Sequence, residues 1–187
     1  MSQVLALDMA GVPSRWLLIE GAITYYARQM VAWSIGDKIA TYRGGTSRAT
    51  GRRSEITTKS IIAIKGASQY FGNQGKVPCL SNQALFSRDR FICAYCGIKY
   101  DNQHLSRDHV VPIQLGGKDE WTNVVTSCRA CNTKKGGRTP QQSRTPLIYL
   151  PYIPNRYEHL IFQNRTILRD QMDYLMAKVP KHSRLRQ

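Results

Sequence analysis

The chain contains two Cys-x-x-Cys pairs separated by 31 residues, and this spacing constrains its fold more than any other feature. The pairs are Cys93 with Cys96 and Cys128 with Cys131. Each pair can place two thiolates on one side of an ion, and two pairs complete the four tetrahedral ligands that zinc prefers. Such a closed site is structural, so we expect Zn²⁺ to order residues 91–139.

The charge of the chain favours a polyanionic partner. Lys and Arg number 27 against 12 Asp and Glu, which gives a net charge of +15. An excess of this size in 187 residues indicates nucleic acid, with membrane lipid as the weaker alternative. No apolar run approaches the roughly 20 residues of a spanning helix, and the N-terminus lacks the basic start of a signal peptide. We therefore expect a cytoplasmic protein that binds DNA and no membrane.

Candidate catalytic residues lie between the cysteine pairs and directly after the second pair. Asp108 and His109 are adjacent, and Asn132 directly follows the last cysteine. A carboxylate oxygen beside a histidine suits a metal site that cleaves phosphodiesters. Histidine is the usual proton acceptor near neutral pH. A zinc-stabilised binding module has no need of this set, which therefore favours metal-assisted phosphodiester hydrolysis.

These residues resemble the HNH endonucleases, in particular the subgroup whose ββα-metal core is pinned by four cysteines. The resemblance covers about 45 residues and follows one order of motifs. They are Cys-x-x-Cys, Asp-His-Val-x-Pro, Gly-Gly, Trp-x-Asn-x-Val and Cys-x-x-Cys-Asn-x-x-Lys. An ordered set of this length is far more specific than a lone cysteine pair.

The resemblance implies a role for each matching position. His109 is expected to be the general base, and Asn123 to steady the loop and the base. Asp108 and Asn132 are expected to hold the catalytic divalent ion, which is Mg²⁺, Mn²⁺ or another divalent metal. The implied activity is a single-metal DNA endonuclease that leaves 5′-phosphate and 3′-hydroxyl ends. The alternative is a zinc-stabilised DNA-binding module without catalysis.

The rest of the chain predicts an α+β protein with three parts. Residues 1–75 read as a mixed α/β region with a candidate DNA-contacting loop, 76–140 as the nuclease core, and 141–187 as an extended connection and a helix. In the first part we expect a strand over 4–7, a helix over 19–30, a hairpin turning at Gly36-Asp37, and a strand over 55–64.

Two groups of basic residues are expected to bind nucleic acid. Lys134, Lys135 and Arg138 follow the last cysteine, beside the expected active site. The second group, Arg48, Arg52 and Arg53, lies in a segment over 43–53 whose composition predicts a loop. For that loop, DNA contact and a merely solvated surface are equally favoured.

The C-terminal part predicts one long helix that opens at Asn155, with Glu158 three residues on as a capping box. An apolar stripe runs from Tyr157 to Val179 at helical spacing. It favours packing against the body of the protein or a homodimer formed through this helix. The remaining cysteine, Cys79, is expected to be a small buried hydrophobe, and His104 to face solvent.

Overall fold

The computed structural model describes residues 2–66, 77–181 and 183–186. The chain forms two compact units. The first unit comprises Met1–Lys76 and Asn164–Lys178, and the second comprises Val77–Gln163 and Val179–Gln187. The boundary that the sequence suggested at residue 75 falls among residues 67–76, outside the described residues. The structure groups residues 164–178 with the first unit, whereas the sequence suggested a separate C-terminal part.

A four-stranded sheet forms the centre of the first unit. Its strands are β1 (Val4–Leu7), β2 (Pro13–Leu17), β3 (Val31–Thr46) and β4 (Arg53–Ile64), in the spatial order β2-β1-β4-β3. Strand β1 pairs with β4 in parallel, and the other pairs are antiparallel. All four residues of β1 are buried, as expected for a central strand covered on both faces.

Helix α1 (Ile19–Ala27) closes the core of the first unit against the sheet. Ala22 packs with Val4, Ala6, Ile62 and Ile64, all of them buried. The strand over 4–7, the helix that begins at Ile19 and the strand that ends at Ile64 confirm the sequence predictions. Short apolar runs with β-branched residues at the centre of a sheet are the patterns that sequence predicts best.

The predicted hairpin at Gly36-Asp37 is wrong, because β3 continues through these residues to Thr46. Gly36 has a φ of +82°, and the pairing register with β4 shifts between Ile35 and Lys38. The positive φ is therefore used for a bulge within a strand and not for a turn. The chain reverses later, over residues 47–52, between β3 and β4.

The second unit holds the segment between the cysteine pairs. It contains the helices α2 (Asn82–Arg88), α3 (Arg129–Lys135), α4 (Pro140–Ser143) and α5 (Arg156–Gln163) and the strands β5 (Leu105–His109) and β6 (Val124–Cys128). Short 3₁₀ turns lie at Asn102–His104, Ile113–Leu115 and Arg184–Arg186. Strands β5 and β6 pair antiparallel, and α3 follows β6 at once. The order strand, strand, helix confirms the α+β core.

A buried arginine joins α2 to the end of this hairpin. The Arg88 guanidinium pairs with Asp89 at 2.8 and 3.0 Å and donates to the backbone carbonyls of Trp121, Tyr152 and Val124. Asp89 in turn accepts the backbone N–H of Thr126 in β6. Because both charges are buried and their hydrogen bonds are satisfied, they fix the position of β6 beneath α2.

The predicted long C-terminal helix is wrong: the chain forms two helices, α5 and α6 (Arg169–Met176), with a break at 164–168. The Asn155–Glu158 capping box is present, with both side-chain-to-backbone bonds at 2.9 Å. At the break, the Asn164 side chain accepts the N–H of Thr166 at 3.0 Å, a local bond that competes with the helix. The apolar stripe is thus divided between the two units, which removes the basis for a homodimer through one helix.

Polar contacts bind helix α6 to the rest of the first unit. The Gln171 amide donates to the carbonyls of Gln3 and Ser60 at 2.8 Å each. Asp170 accepts the N–H of Asp37 at 2.9 Å and the hydroxyl of Ser60.

Within the described residues, no helix is long and apolar enough to cross a membrane.

Candidate active site and metal centre

The four cysteines of the two pairs come together at one point of the second unit. Their sulfur atoms all lie within 4.8 Å of one another, at the positions Cys93, Cys96, Cys128 and Cys131. Tetrahedral thiolates at about 2.3 Å from a zinc ion are separated by roughly 3.8 Å, so the cluster fits one ion after a small contraction. The four cysteines are therefore positioned to hold a metal, and their chemistry suits structural zinc.

Each pair is held by a different local structure. Cys93 and Cys96 lie in a tight turn where the N–H of Gly97 donates to the carbonyl of Cys93, and Gly97 has a φ of +73°. Cys128 ends β6 and is the N-cap of α3, and its sulfur accepts the N–H of Cys131 at 3.4 Å. Val124–Cys128 is a buried strand, and the helix begins directly after it at Arg129.

The electrostatics of the cluster also favour a cation. Burial raises the pKa of the Cys93 thiol, but backbone N–H groups at Cys128, Cys96 and Tyr95 outweigh this effect and bring that pKa to about 7. Burial and the neighbouring Cys128 raise the pKa of Cys131 well above its usual value. Four thiolates this close cannot all stay charged without a positive ion between them.

Asp108 and His109 lie at the end of β5, and Asn132 lies in α3. All three line one cavity of about 270 Å³, together with Lys135 and residues of the loop that follows β5. The structure therefore brings together three of the four residues expected to form the catalytic site. The strand that carries Asp108 and His109 pairs antiparallel with β6, the strand that follows Gly116-Gly117.

Asn123 fixes the loop after β5, which contributes Pro112, Ile113 and Gln114 to the lining of this cavity. Its side-chain oxygen accepts the N–H of Val111 at 2.9 Å, and its amide donates to the carbonyls of Val111 and Lys118 at 3.0 and 2.9 Å. Only glycine fits at position 117, because a Cβ there would lie 1.8 Å from the Val111 carbonyl oxygen. These contacts hold the loop closed. Neither of the two residues predicted to bind the catalytic ion lies in it.

The Asp108 carboxylate is held on both oxygens. Oδ1 accepts from Nζ of Lys135 at 2.9 Å, and Oδ2 accepts the hydroxyl proton of Tyr95. Burial first, and then Asp108, raise the pKa of Tyr95 far above its usual value, so this hydroxyl stays a donor. Asn132 donates its amide to Ser106 at 2.9 Å. A divalent ion would share Asp108 with these donors, and the carboxylate and amide oxygen atoms suit such an ion.

Lys135 is placed differently from the sequence prediction. It was expected to contact phosphate, but its side chain is only 1% exposed and its Nζ is bound to Asp108 and to the His109 carbonyl. Lys134 is exposed, and Arg138 binds the carbonyls of Lys134 and Lys135 at the end of α3. The spacing of these residues could not show which of them is buried, because that depends on which elements pack against the short helix.

The remaining predictions divide between the two units. Arg48, Arg52 and Arg53 are exposed at the tip of the β3–β4 hairpin, in the first unit. His104 is exposed as expected. Cys79 is also exposed, so the prediction that it is buried is wrong. Cys79 precedes α2 and follows Pro78, whose carbonyl accepts the Trp121 indole N–H. With the Pro78 backbone held in this way, the side chain of Cys79 lies outside the core.

Sequence reasoning missed two residues beside His109. Oδ1 of Asp119 lies 2.9 Å from Nε2 of His109, its Oδ2 accepts from Arg107, and Arg107 also contacts Asn82. Asp119 lies two residues after Gly117, in a segment whose sequence shows only polar loop character. The only feature of the sequence that could have pointed to Asp119 is its position close to the Gly116-Gly117 turn, which follows the Asp-His pair. The pairing itself depends on how the loop folds back and is not visible in the sequence.

The fold and the site together form one arrangement. A two-stranded hairpin and a helix surround an Asp-His pair, and a cluster of four cysteines lies beside them. Residues 93–148 match the family model described as HNH endonuclease. The match covers the segment whose motifs resemble this family, and it confirms that resemblance. No curated protein matches the chain.

Among solved structures, the chain is similar to the crystal structure of the Type II-C Cas9 enzyme from Actinomyces naeslundii. The identity is 19% and the TM-score is 0.31, over 59% of this chain. The chain spans only 12% of that enzyme's length. A similarity of this strength carries no argument about function.

Proposed function

We propose that this protein is a metal-dependent DNA endonuclease that hydrolyses phosphodiester bonds. The observation that supports the proposal most strongly is the shared cavity of Asp108, His109 and Asn132 within an HNH endonuclease domain. A base, an oxygen-ligand pair and open space lie together there, as in-line attack by water on a phosphate requires. The products are expected to carry 5′-phosphate and 3′-hydroxyl ends.

Each residue has a separate task in this proposal. His109 takes the proton of the attacking water, and its ring is 24% exposed toward solvent. Asp108 and Asn132 would hold Mg²⁺, Mn²⁺ or another divalent ion, which when bound offsets charge on the phosphate and on the leaving oxygen. Asn123 keeps the loop after β5 in place. The cysteine cluster would hold a structural Zn²⁺ that orders the second unit, consistent with a cytoplasmic location in which thiols stay reduced.

The β3–β4 hairpin is proposed as a second DNA contact. Residues 41–55, which form the outer end of the β3–β4 hairpin, are all exposed. Four arginines lie there against one acidic residue, Glu55, which pairs with Arg43 at 3.6 Å. A two-stranded ribbon is narrow enough to enter the major groove of DNA, and its arginines can meet the phosphates.

Cleavage of supercoiled plasmid tests the proposal. Wild type, His109→Ala and the control His104→Ala are incubated with Mg²⁺, Mn²⁺ or EDTA. We expect metal-dependent nicking or linearisation by wild type and by His104→Ala, and a loss of at least about 100-fold in His109→Ala. Zinc content and DNA affinity should be the same in all three proteins.

The second candidate function is a zinc-stabilised DNA-binding module. It is favoured by the contacts of Asp108, whose two oxygens each already accept a hydrogen bond, from Lys135 and from Tyr95. Absence of cleavage with every metal tested, together with salt-sensitive DNA binding, would support this candidate against the nuclease.

A further inference from the structure

Asp119 connects His109 to a chain of polar contacts on one side of β5. Its Oδ1 lies 2.9 Å from Nε2 of His109, and its Oδ2 lies 2.5 Å from Nη1 of Arg107. Arg107 and His109 are two residues apart on the strand and therefore project from the same face. Asp119 reaches both of them from the loop that follows.

The far end of this chain is also fixed. Nε of Arg107 donates to the side-chain oxygen of Asn82 at 3.0 Å, in the first turn of α2. The Arg107 guanidinium thus has one partner on each side. Asp119 is half exposed, so the value of this arrangement lies in orientation and not in stability.

The contact determines which nitrogen of His109 carries a proton. The Arg107 guanidinium, and to a smaller degree His109, hold the pKa of Asp119 below its usual value, so its carboxylate can only accept hydrogen bonds. A hydrogen bond to Asp119 therefore requires a proton on Nε2. In the neutral ring the free lone pair is then on Nδ1.

We propose that Asp119 is a positioning residue, which holds His109 as the Nε2–H tautomer and leaves Nδ1 to take the proton from water. This inference rests on the proposed nuclease function, and it adds a residue that acts through the base. The neighbouring Glu120 provides a matched control, because it is also exposed and acidic, and its carboxylate accepts from Thr122 instead.

Two measurements on Asp119→Ala and Glu120→Ala test the role. The first is the single-turnover rate of plasmid cleavage at saturating enzyme, with DNA affinity measured separately. Both variants lose one negative charge, so any general effect on DNA binding should be equal. We expect Asp119→Ala to cleave roughly 10- to 100-fold more slowly than Glu120→Ala, as part of the contribution of a general base. Equal rates would overturn the proposal.

The second measurement is the ¹⁵N spectrum of the histidine rings at about pH 8, where imidazole is neutral. His109→Ala assigns the His109 signals among the four histidines. We expect the Nε2–H form in wild type and in Glu120→Ala, and a mixture of tautomers in Asp119→Ala. The Nδ1–H form in wild type would overturn the proposal. This readout does not depend on cleavage, so it separates failure of the inference from failure of the nuclease function.

Asp119→Asn keeps the test decisive if the alanine variant does not fold. The asparagine oxygen can still accept from Nε2, although the pairing with Arg107 is lost. We expect its rate to lie between those of Asp119→Ala and wild type, with the Nε2–H form retained. A rate equal to that of Glu120→Ala with a changed tautomer would contradict the role of Asp119.

Discussion

Nζ of Lys135 lies 2.9 Å from Oδ1 of Asp108, and the two side chains are 1% and 5% exposed. The lysine reaches Asp108 from the last residue of α3, while Asp108 lies in β5. The pair therefore ties the helix of the core to its hairpin at the position of the proposed metal ligand. It also means that the fold orients the carboxylate before any ion binds.

Replacing Lys135 by Met should destabilise the second unit by about 3–5 kcal/mol. The substitution leaves Asp108 buried without its charged partner, and such an uncompensated charge is costly. Urea unfolding measures the loss. Lys134→Met is the control, because Lys134 is exposed and its loss should cost less than about 0.5 kcal/mol. Similar stabilities of the two variants would show that the ion pair contributes nothing to the fold.

Replacing Asn123 by Ala should loosen the wall of the cavity. Three hydrogen bonds to Val111 and Lys118 are lost, at about 1 kcal/mol each, so we expect a loss of about 2–3 kcal/mol. Hydrogen exchange at the Val111 N–H should become faster. Thr122→Ala, beside it and exposed, should leave that exchange unchanged. Unchanged exchange in the Asn123 variant would mean that other contacts hold the loop.

Removing one cysteine of the cluster should unfold the second unit, because an ion bound by the four cysteines would supply much of its order. Cys131→Ser should lose bound zinc, measured by atomic absorption, and should lose protection from limited proteolysis over residues 91–139. Cys79→Ser is the control, since Cys79 is exposed and lies outside the cluster. Full zinc content in Cys131→Ser would contradict a four-cysteine site.

The sequence predicted the core of the second unit well because its constraints are local or chemical. The cysteine spacing, the Asp-His pair and the glycine turn each demand particular residues. What it missed were contacts between segments that are distant in sequence. Tyr95 contacts Asp108 from inside the first cysteine pair, and Asp119 contacts His109 from a polar loop.

The errors outside the core have a common origin in competition between local and tertiary preferences. Gly36 reads as a turn, but pairing with β4 carries the strand past it. The helical stripe after Asn155 reads as continuous, but the side chain of Asn164 binds the backbone locally and the chain enters another unit. In both cases the periodicity was correct over short stretches and could not show where an element ends.

The hairpin tip should supply a measurable share of the DNA affinity. Replacing Arg48, Arg52 and Arg53 together by Gln removes three exposed charges from residues 47–53. If each arginine contacts one phosphate, the slope of log affinity against log salt should fall by about 2–3, because each contact contributes about 0.9. Fluorescence anisotropy with a duplex at several salt concentrations gives this slope.

A matched triple variant separates local contact from overall charge. Arg28, Arg165 and Lys181 are exposed and lie away from the hairpin tip in sequence, and their replacement by Gln removes the same charge. We expect this variant to keep a slope within about 1 of wild type. If the two triples lose affinity equally, the net charge of +15 attracts DNA without a defined contact. A selective loss at the tip would instead establish the ribbon as a binding arm, since long-range attraction depends on total charge whereas counterion release depends on where the phosphates are met.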